Sequence, residues 1–337
     1  MSNEKKTYRI GAPADSLNSL VVNSVDFSDR STPYTRTGPV LSFFHKPDLS
    51  YYGGDDKDKI VVCEPLGKAD AAGTSYAAPW IARKMAYLIH IVGLSREVAK
   101  ALIVDSAAGW KRKDDSSFSI GYGIVPRHIN DIIHSEDDEI RFVMTGTTDE
   151  YETYTYNIPV PQNKNKHPYF AKATLVYFPN SDRNQGVDYT NTEMDIHFGR
   201  IKADKKGNQA IVDIKKNKQA DTGSVSIYEK EARNIFRKWD NVKHINETVN
   251  PRAKPKDVYG IGMWGIMIRI KERLKAKEDR GLQFGLVITL KEMNGVNRIN
   301  EFIKMCHARG WLVNQIDVDN RIDIYNKAEE TVEFNEN

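Results

Sequence analysis

Ser75, at the predicted start of a helix, is the residue best suited to chemistry. It lies in the run Gly-Thr-Ser-Tyr-Ala-Ala-Pro over residues 73–79. Apolar residues with helical spacing follow it: Ile81, Met85, Leu88, Ile89 and Val92. The free N–H groups and positive dipole end of such a helix favour an oxyanion, so Ser75 is a candidate nucleophile for acyl transfer. The alternative is an N-cap before an ordinary core helix.

The run resembles the serine signature of the subtilisin-like proteases, Gly-Thr-Ser-x-Ala-x-Pro. Five further segments between residues 10 and 135 resemble that family in the family's order: the strand that follows the oxyanion asparagine at 10–27, a Tyr-x-x-x-Gly-Pro turn at 34–39, Lys-Pro-Asp-Leu at 46–49 with glycines at 53–54, the helix at 94–107 and Gly-x-Gly-x-Val at 121–125. The resemblance implies an α/β fold, a partial subtilisin-like parallel sheet with helices.

The resemblance also implies roles for individual residues. Ser75 is the expected nucleophile, and the backbones of Ser75 and Thr74 are the expected oxyanion donors. Gly73 would let a peptide substrate approach closely, because a Cβ there would crowd it. Gly11, Ala12 and Pro13 are expected to form one wall of the substrate-binding pocket. The expected reaction is peptide-bond hydrolysis by a serine endopeptidase.

The rest of the expected catalytic machinery is missing from the sequence around Ser75. Subtilisin-like enzymes carry their acid, then their histidine, then their serine along the chain, yet only 74 residues precede Ser75. No His-Gly-Thr motif occurs, and His45 is the sole histidine before Ser75. Loss of triad members lowers turnover by about 10⁴- to 10⁶-fold. We therefore expect this chain to be inactive alone and to need an N-terminal protease half that supplies the acid, the base and the oxyanion asparagine.

A non-catalytic protein-binding module with a degenerate protease scaffold is the alternative function. The intact serine signature favours the enzyme, whereas the missing upstream groups favour the binding module. Two departures from the family pattern predict an altered surface near the serine helix. Arg83 and Lys84 place charges on that helix, and Tyr51-Tyr52 replace the expected Ala-Pro.

The chain changes character near residue 137, which predicts one domain over 1–137 and another over 138–337. Alternating or β-rich runs at 171–178, 194–198, 266–270 and 284–290 predict a mostly antiparallel sandwich. The segment 174–196 resembles the jelly roll that follows the catalytic domain in several subtilisin-like proteases. A late helix is predicted over 296–309, and a hairpin around 319–320.

Composition limits the partners and the compartment. A net charge of +3 argues against nucleic acid as a main partner, and no run is long enough to span a membrane. Residues 1–6 lack the apolar core of a signal peptide, and two distant cysteines, Cys63 and Cys306, are predicted to be buried and unpaired, which favours a cytoplasmic location. No cofactor is expected. The acidic turns at 54–58 and 317–319 contain oxygen ligands of the kind that calcium binds, and the alternative is that each is a plain polar turn. Half of a parallel sheet exposes core surface, so self-association is the alternative to a completing half.

Overall fold

The computed structural model describes residues 8–41, 44–110, 117–148, 153–181, 190, 192–203, 205–214, 228, 240–272 and 281–314. Its helices are α1 (Thr74–His90), α2 (Arg96–Ala108), α3 (Ser117–Ile120), α4 (Asn130–Ile133) and α5 (Ile299–Ala308). Both long helices predicted around the serine signature are confirmed. Ser95 caps α2, since its side chain accepts a hydrogen bond from the Val98 N–H at 3.3 Å. No helix of the described ranges is long and apolar enough to cross a membrane.

The N-terminal part contains a short parallel sheet. Strands β1 (Val22–Val25) and β2 (Leu49–Tyr52) pair in parallel, and Ser50 forms a parallel bridge with Ile124. A separate antiparallel hairpin, β3 (Ile60–Glu64) and β4 (Gly67–Ala71), leads directly into α1. Parallel strands covered by helices agree with the α/β start expected from the sequence.

The C-terminal part consists mainly of antiparallel strands. They are β5 (Glu139–Thr148), β6 (Thr153–Pro159), β7 (Lys166–His167), β8 (Tyr169–Tyr177), β9 (Thr192–Ala203), β10 (Gln209–Asp213), β11 (Val242–Asn246), β12 (Lys256–Asp257), β13 (Met263–Glu272) and β14 (Leu282–Glu292). One sheet has the order β10-β9-β13-β6 and the other β11-β8-β14-β5. Their apolar inner faces share one core that includes Phe198, Trp264 and Leu286. The four predicted strand runs are confirmed, and the jelly-roll assignment stays a prediction.

The two parts share a second core, so the sandwich packs directly on the α/β part. Val176, Val242 and Val287 on the sheet β11-β8-β14-β5 belong to the same cluster as the apolar residues of α1 and α2. Gly285 makes this packing close, because a Cβ there would lie 2.4 Å from the Val98 backbone nitrogen. The boundary predicted at residue 137 therefore separates two parts of the chain that pack extensively against each other.

Polar groups at this interface are paired. The Asp105 carboxylate on α2 forms an ion pair with Lys172 Nζ on β8 at 2.8 Å and accepts a hydrogen bond from Thr174 Oγ1 on the same strand, also at 2.8 Å. Asn241 Nδ2 donates to the Leu17 carbonyl at 3.2 Å, and the Tyr122 hydroxyl donates to the Val242 carbonyl at 3.1 Å. Buried polar groups that bond across an interface fix its register, since slippage would leave them unsatisfied.

Two local predictions are corrected by the structure. Cys63 was expected to be buried and is exposed on β3, whereas Cys306 is buried as predicted. The late helix begins at Ile299, three residues after its predicted start. The hairpin predicted around 319–320 and the acidic turn 317–319 lie outside the described residues.

Candidate functional site

The turn that carries Ser75 is tied to the carboxyl end of β2. The Gly73 N–H donates to the Gly53 carbonyl at 2.9 Å, and the Tyr76 N–H donates back to the Gly73 carbonyl at 3.0 Å. Gly53 allows this approach, because a Cβ there would lie 2.7 Å from the Gly73 oxygen and 2.3 Å from Ser24 Oγ. A Cβ at Gly73 would meet the Tyr76 ring at an ordinary 3.6 Å, so the tight approach within the fold is at Gly53.

Ser75 is the second residue of α1, and its side chain is exposed. Within the described ranges, the backbone N–H groups of Thr74 and Ser75 have no hydrogen-bond acceptor, and α1 has no side-chain cap. Such free N–H groups at a helix N-terminus stabilise an anion that forms beside them. The first turn of α1 therefore carries both the exposed Ser75 hydroxyl and these two backbone N–H donors.

No histidine of the described chain hydrogen-bonds Ser75. His90 ends α1, about 22 Å along the helix axis at ~1.5 Å per residue. His45 is buried instead: its ring packs on the Tyr122 ring with centroids 4.8 Å apart, and its backbone N–H donates to Asp240 Oδ1 at 3.0 Å. Neither His90 nor His45 is therefore positioned to act as a base for Ser75.

The predicted substrate wall at Gly11, Ala12 and Pro13 forms an accessible turn. Gly11 is half-buried, Ala12 and Pro13 are exposed, and the Gly11 carbonyl accepts the Ala14 N–H at 2.9 Å. The neighbouring Ile10 N–H donates to the Thr37 carbonyl at 3.1 Å. No hydrogen bond in the described part of the chain joins this turn to Ser75, so its role in substrate binding stays a prediction.

Buried charges support the sheet behind the nucleophile turn. Asp48, one residue before β2, accepts Lys46 Nζ at 2.6 Å and lies 3.2 Å from Lys100 Nζ on α2. Burial acts to raise the pKa of Asp48, but the two ammonium groups outweigh it and hold that pKa below its usual value. Burial lowers the pKa of Lys100 to about 8. The family resemblance of the Lys-Pro-Asp segment identified Asp48 as part of a turn of that family. Nothing in the sequence predicted that Lys100, on a distant helix, would pair with it.

Three side chains from separate segments of the chain meet at the carboxyl ends of β1 and β2. The rings of Phe27 and Tyr52 stack with centroids 6.1 Å apart. Cζ of Arg127 lies 4.2 Å from the Tyr52 ring centroid and 5.6 Å from that of Phe27. We call this group the aromatic–arginine platform. The unusual Tyr51-Tyr52 pair was its one sequence signal.

The acidic turn at 54–58 and a cavity beside α5 are two further features of the described residues. Asp55 Oδ1 in the acidic turn accepts the backbone N–H groups of Lys57 and Asp58, at 2.8 and 2.7 Å. The described residues contain no group of three His, Cys, Asp or Glu side chains placed to hold a metal ion. A cavity of about 1020 Å³ lies where β5 and α5 meet the C-terminal end of α1, and its lining does not include residues 73–76.

An exposed serine at the start of a helix that follows parallel strands is an arrangement that occurs in serine hydrolases. Residues 2–123 match the Subtilase family, Peptidase S8. This match covers about a third of the chain, includes Ser75, and agrees with the resemblance seen in the sequence, so the segment is similar to a serine protease scaffold.

Two other comparisons add little. No curated protein matches the chain. Among solved structures, the chain is similar to dimeric latent PorU from Porphyromonas gingivalis at 12% identity with a TM-score of 0.18. The similarity covers 46% of this chain and 13% of that one, and at this level it carries no argument.

Proposed function

We propose that this chain supplies the nucleophile part of a subtilisin-like serine endopeptidase. The observation that carries the proposal is the exposed Ser75 hydroxyl on the first turn of α1, beside N–H groups that have no acceptor in the described structure. The match of residues 2–123 to the Subtilase family supports the same reaction class.

In the completed site, Ser75 Oγ would attack the scissile carbonyl carbon while an imidazole takes its proton. The carbonyl oxygen then becomes an oxyanion, which the Ser75 and Thr74 backbone N–H groups would stabilise by hydrogen bonds. The C–N bond breaks as the imidazolium gives its proton to the leaving amine. Water then hydrolyses the acyl-enzyme by the same proton transfers in reverse order.

We propose that the imidazole and its orienting carboxylate come from residues outside the described part of this chain. His90 is at the far end of α1 and His45 is buried against Tyr122. A serine hydroxyl without a base reacts slowly at neutral pH, so the chain alone is expected to be inactive. Its partners would then be a completing protease segment and a peptide or protein substrate.

A fluorophosphonate probe tests this proposal, because it modifies only activated serines. The chain is expressed alone and in fusion with the product of the DNA immediately upstream. We expect labelling at Ser75 in the fusion, no labelling of the chain alone and none of the fusion with Ser75→Ala. Full-rate labelling of the chain alone would contradict the need for an added base.

The second candidate is a non-catalytic protein-binding module built on a protease scaffold. The extensive packing of the sandwich on α2 favours a single rigid body, which suits a binding surface as well as an enzyme. Absence of labelling in both preparations would favour this module over the enzyme.

A further inference from the structure

The aromatic–arginine platform lies at the edge of the sheet where ligands bind in α/β folds, outside the carboxyl ends of parallel strands. Phe27 follows β1, Tyr52 ends β2, and Arg127 follows the segment that bridges to Ser50. All three side chains therefore come from the same end of adjacent parallel segments. Tyr52 stands where the subtilase resemblance predicts a proline, so the ring is a feature of this chain and not of the family pattern.

The platform lies within reach of a peptide bound at Ser75. Tyr52 precedes Gly53, whose carbonyl accepts the Gly73 N–H at 2.9 Å, and Ser75 is two residues further along. Adding standard backbone dimensions along this path gives at most about 18 Å between the Cα atoms of Tyr52 and Ser75. About five residues of an extended peptide cover that distance.

The platform is accessible, and its guanidinium has no carboxylate partner among the described residues. Phe27 is 48% exposed, and the Arg127 side chain is exposed. In the described ranges Arg127 has no carboxylate within ion-pair distance, whereas Arg30, three residues after Phe27, is paired with Asp26 at 3.0 Å. The nearby Asp29 accepts the Tyr52 hydroxyl at 2.8 Å. A guanidinium stacked on a ring still presents N–H donors along its edge, in the fork geometry that fits a carboxylate.

We propose that the aromatic–arginine platform is a substrate subsite that binds two side chains of the peptide. One is acidic, and the other is apolar and lies two positions away from it along the peptide. Alternate side chains of an extended peptide point to the same face, so one packs on Phe27 while the carboxylate meets Arg127. The proposal rests on the proposed function, because the peptide is taken to lie across Ser75.

Binding of matched peptides to the full chain with Ser75→Ala tests the subsite without hydrolysis. The probes are fluorescein-labelled decapeptides of Gly and Ala that contain Phe-Ala-Glu or Phe-Ala-Gln, with the motif moved along the peptide. Fluorescence anisotropy should show about tenfold tighter binding of the Glu peptide at one or more motif positions. Equal affinity for each pair, or no saturable binding up to about 1 mM, would overturn the proposal.

Two variants locate the effect. Arg127→Gln should remove the preference for Glu, whereas Arg30→Gln, which changes an arginine already paired with Asp26, should keep it. A preference that survives Arg127→Gln would assign the carboxylate to another site and overturn the proposal. If the peptide assay shows the Glu preference but the fluorophosphonate does not label Ser75, only the proposed hydrolysis is contradicted. If Ser75 is labelled but the Glu preference is absent, only the proposed subsite is contradicted.

Discussion

The ammonium of Lys84 lies 5.7 Å from the centroid of the Tyr51 ring. Lys84 is fully buried on α1, and its Nζ donates to the Arg127 carbonyl at 2.5 Å. Lys84 and Tyr51 are two of the positions at which the sequence departs from the subtilase pattern. Their contact shows that the departures fit one another: the charged group on the helix meets an aromatic face on β2, which favours a buried cation.

Replacing Lys84 with methionine tests this contact. Lys84→Met keeps the volume but leaves the Arg127 carbonyl without that donor, so we expect a loss of about 1–3 kcal/mol in the free energy of unfolding, measured by urea denaturation. Tyr51→Leu should couple with it by about 1 kcal/mol in a double-mutant cycle. Lys68→Met on the exposed strand β4 is the control and should change stability by less than about 0.5 kcal/mol. Strictly additive effects of the first two changes would contradict the contact.

Adding one methyl group at Gly285 tests the packing of the sandwich on α2. In Gly285→Ala the new Cβ would lie 2.4 Å from the Val98 nitrogen, so the helix and sheet must separate at a cost of about 2–3 kcal/mol. Gly11→Ala is the matched control, since its Cβ meets only an Arg36 side-chain atom at 4.0 Å. Thermal unfolding followed by circular dichroism measures both. An unchanged midpoint for Gly285→Ala would disprove the close approach.

The charge of Asp48 should be essential for folding. Asp48→Asn removes the ion pairs to Lys46 and Lys100 and leaves two buried ammonium groups, which we expect to cost about 3–5 kcal/mol. Adding Lys100→Met removes one of those charges, so the double variant should be less destabilised than the sum of the single changes. Denaturant unfolding of the three variants gives the coupling. A double variant as unstable as that sum would show that Lys100 does not interact with Asp48.

His167 should make stability depend on pH. Its side chain is buried beside Trp264, and burial lowers its pKa to about 4 from about 6.5 in the unfolded chain. Between these values the unfolded state binds more protons, so the stability relative to neutral pH falls as the pH decreases from about 6.5 to 4, by about 3 kcal/mol in all. Unfolding free energies measured across this range should lose that dependence in His167→Phe. Parallel pH profiles of the two proteins would rule out a buried neutral imidazole.

The sequence predicted the elements around Ser75 well. The seven-residue signature and the apolar stripe depend on neighbours along one helix, and α1 contains the predicted Ile81 and Leu88 as buried residues. Period-two alternation at 194–198 and 284–290 likewise identified β9 and β14, because strand faces are read from adjacent residues. The burial predicted for Cys63 was wrong, because a run of β-forming residues has the same pattern in a buried strand as in an exposed hairpin.

Contacts between distant segments could not be predicted from local patterns. Lys84 looks like a surface charge in the helical pattern, and its burial depends on Tyr51 and on the Arg127 backbone. Gly285 has no local signal for its approach to Val98, which is 187 positions away in the chain. The aromatic–arginine platform likewise needs three separate segments to meet at one sheet edge.

The amino-acid sequence by itself determined the nucleophile candidate, the resemblance of its segment to a protease family and several of the main helices and strands, because these follow from residues that are close together in the chain. The tertiary structure decided that Ser75 is exposed beside N–H groups with no acceptor among the described residues, that the sandwich and α2 share one core, and that Arg127 stacks on Tyr52. Those properties arise where segments far apart in sequence exclude water from one another, and short-range patterns do not encode which segments meet.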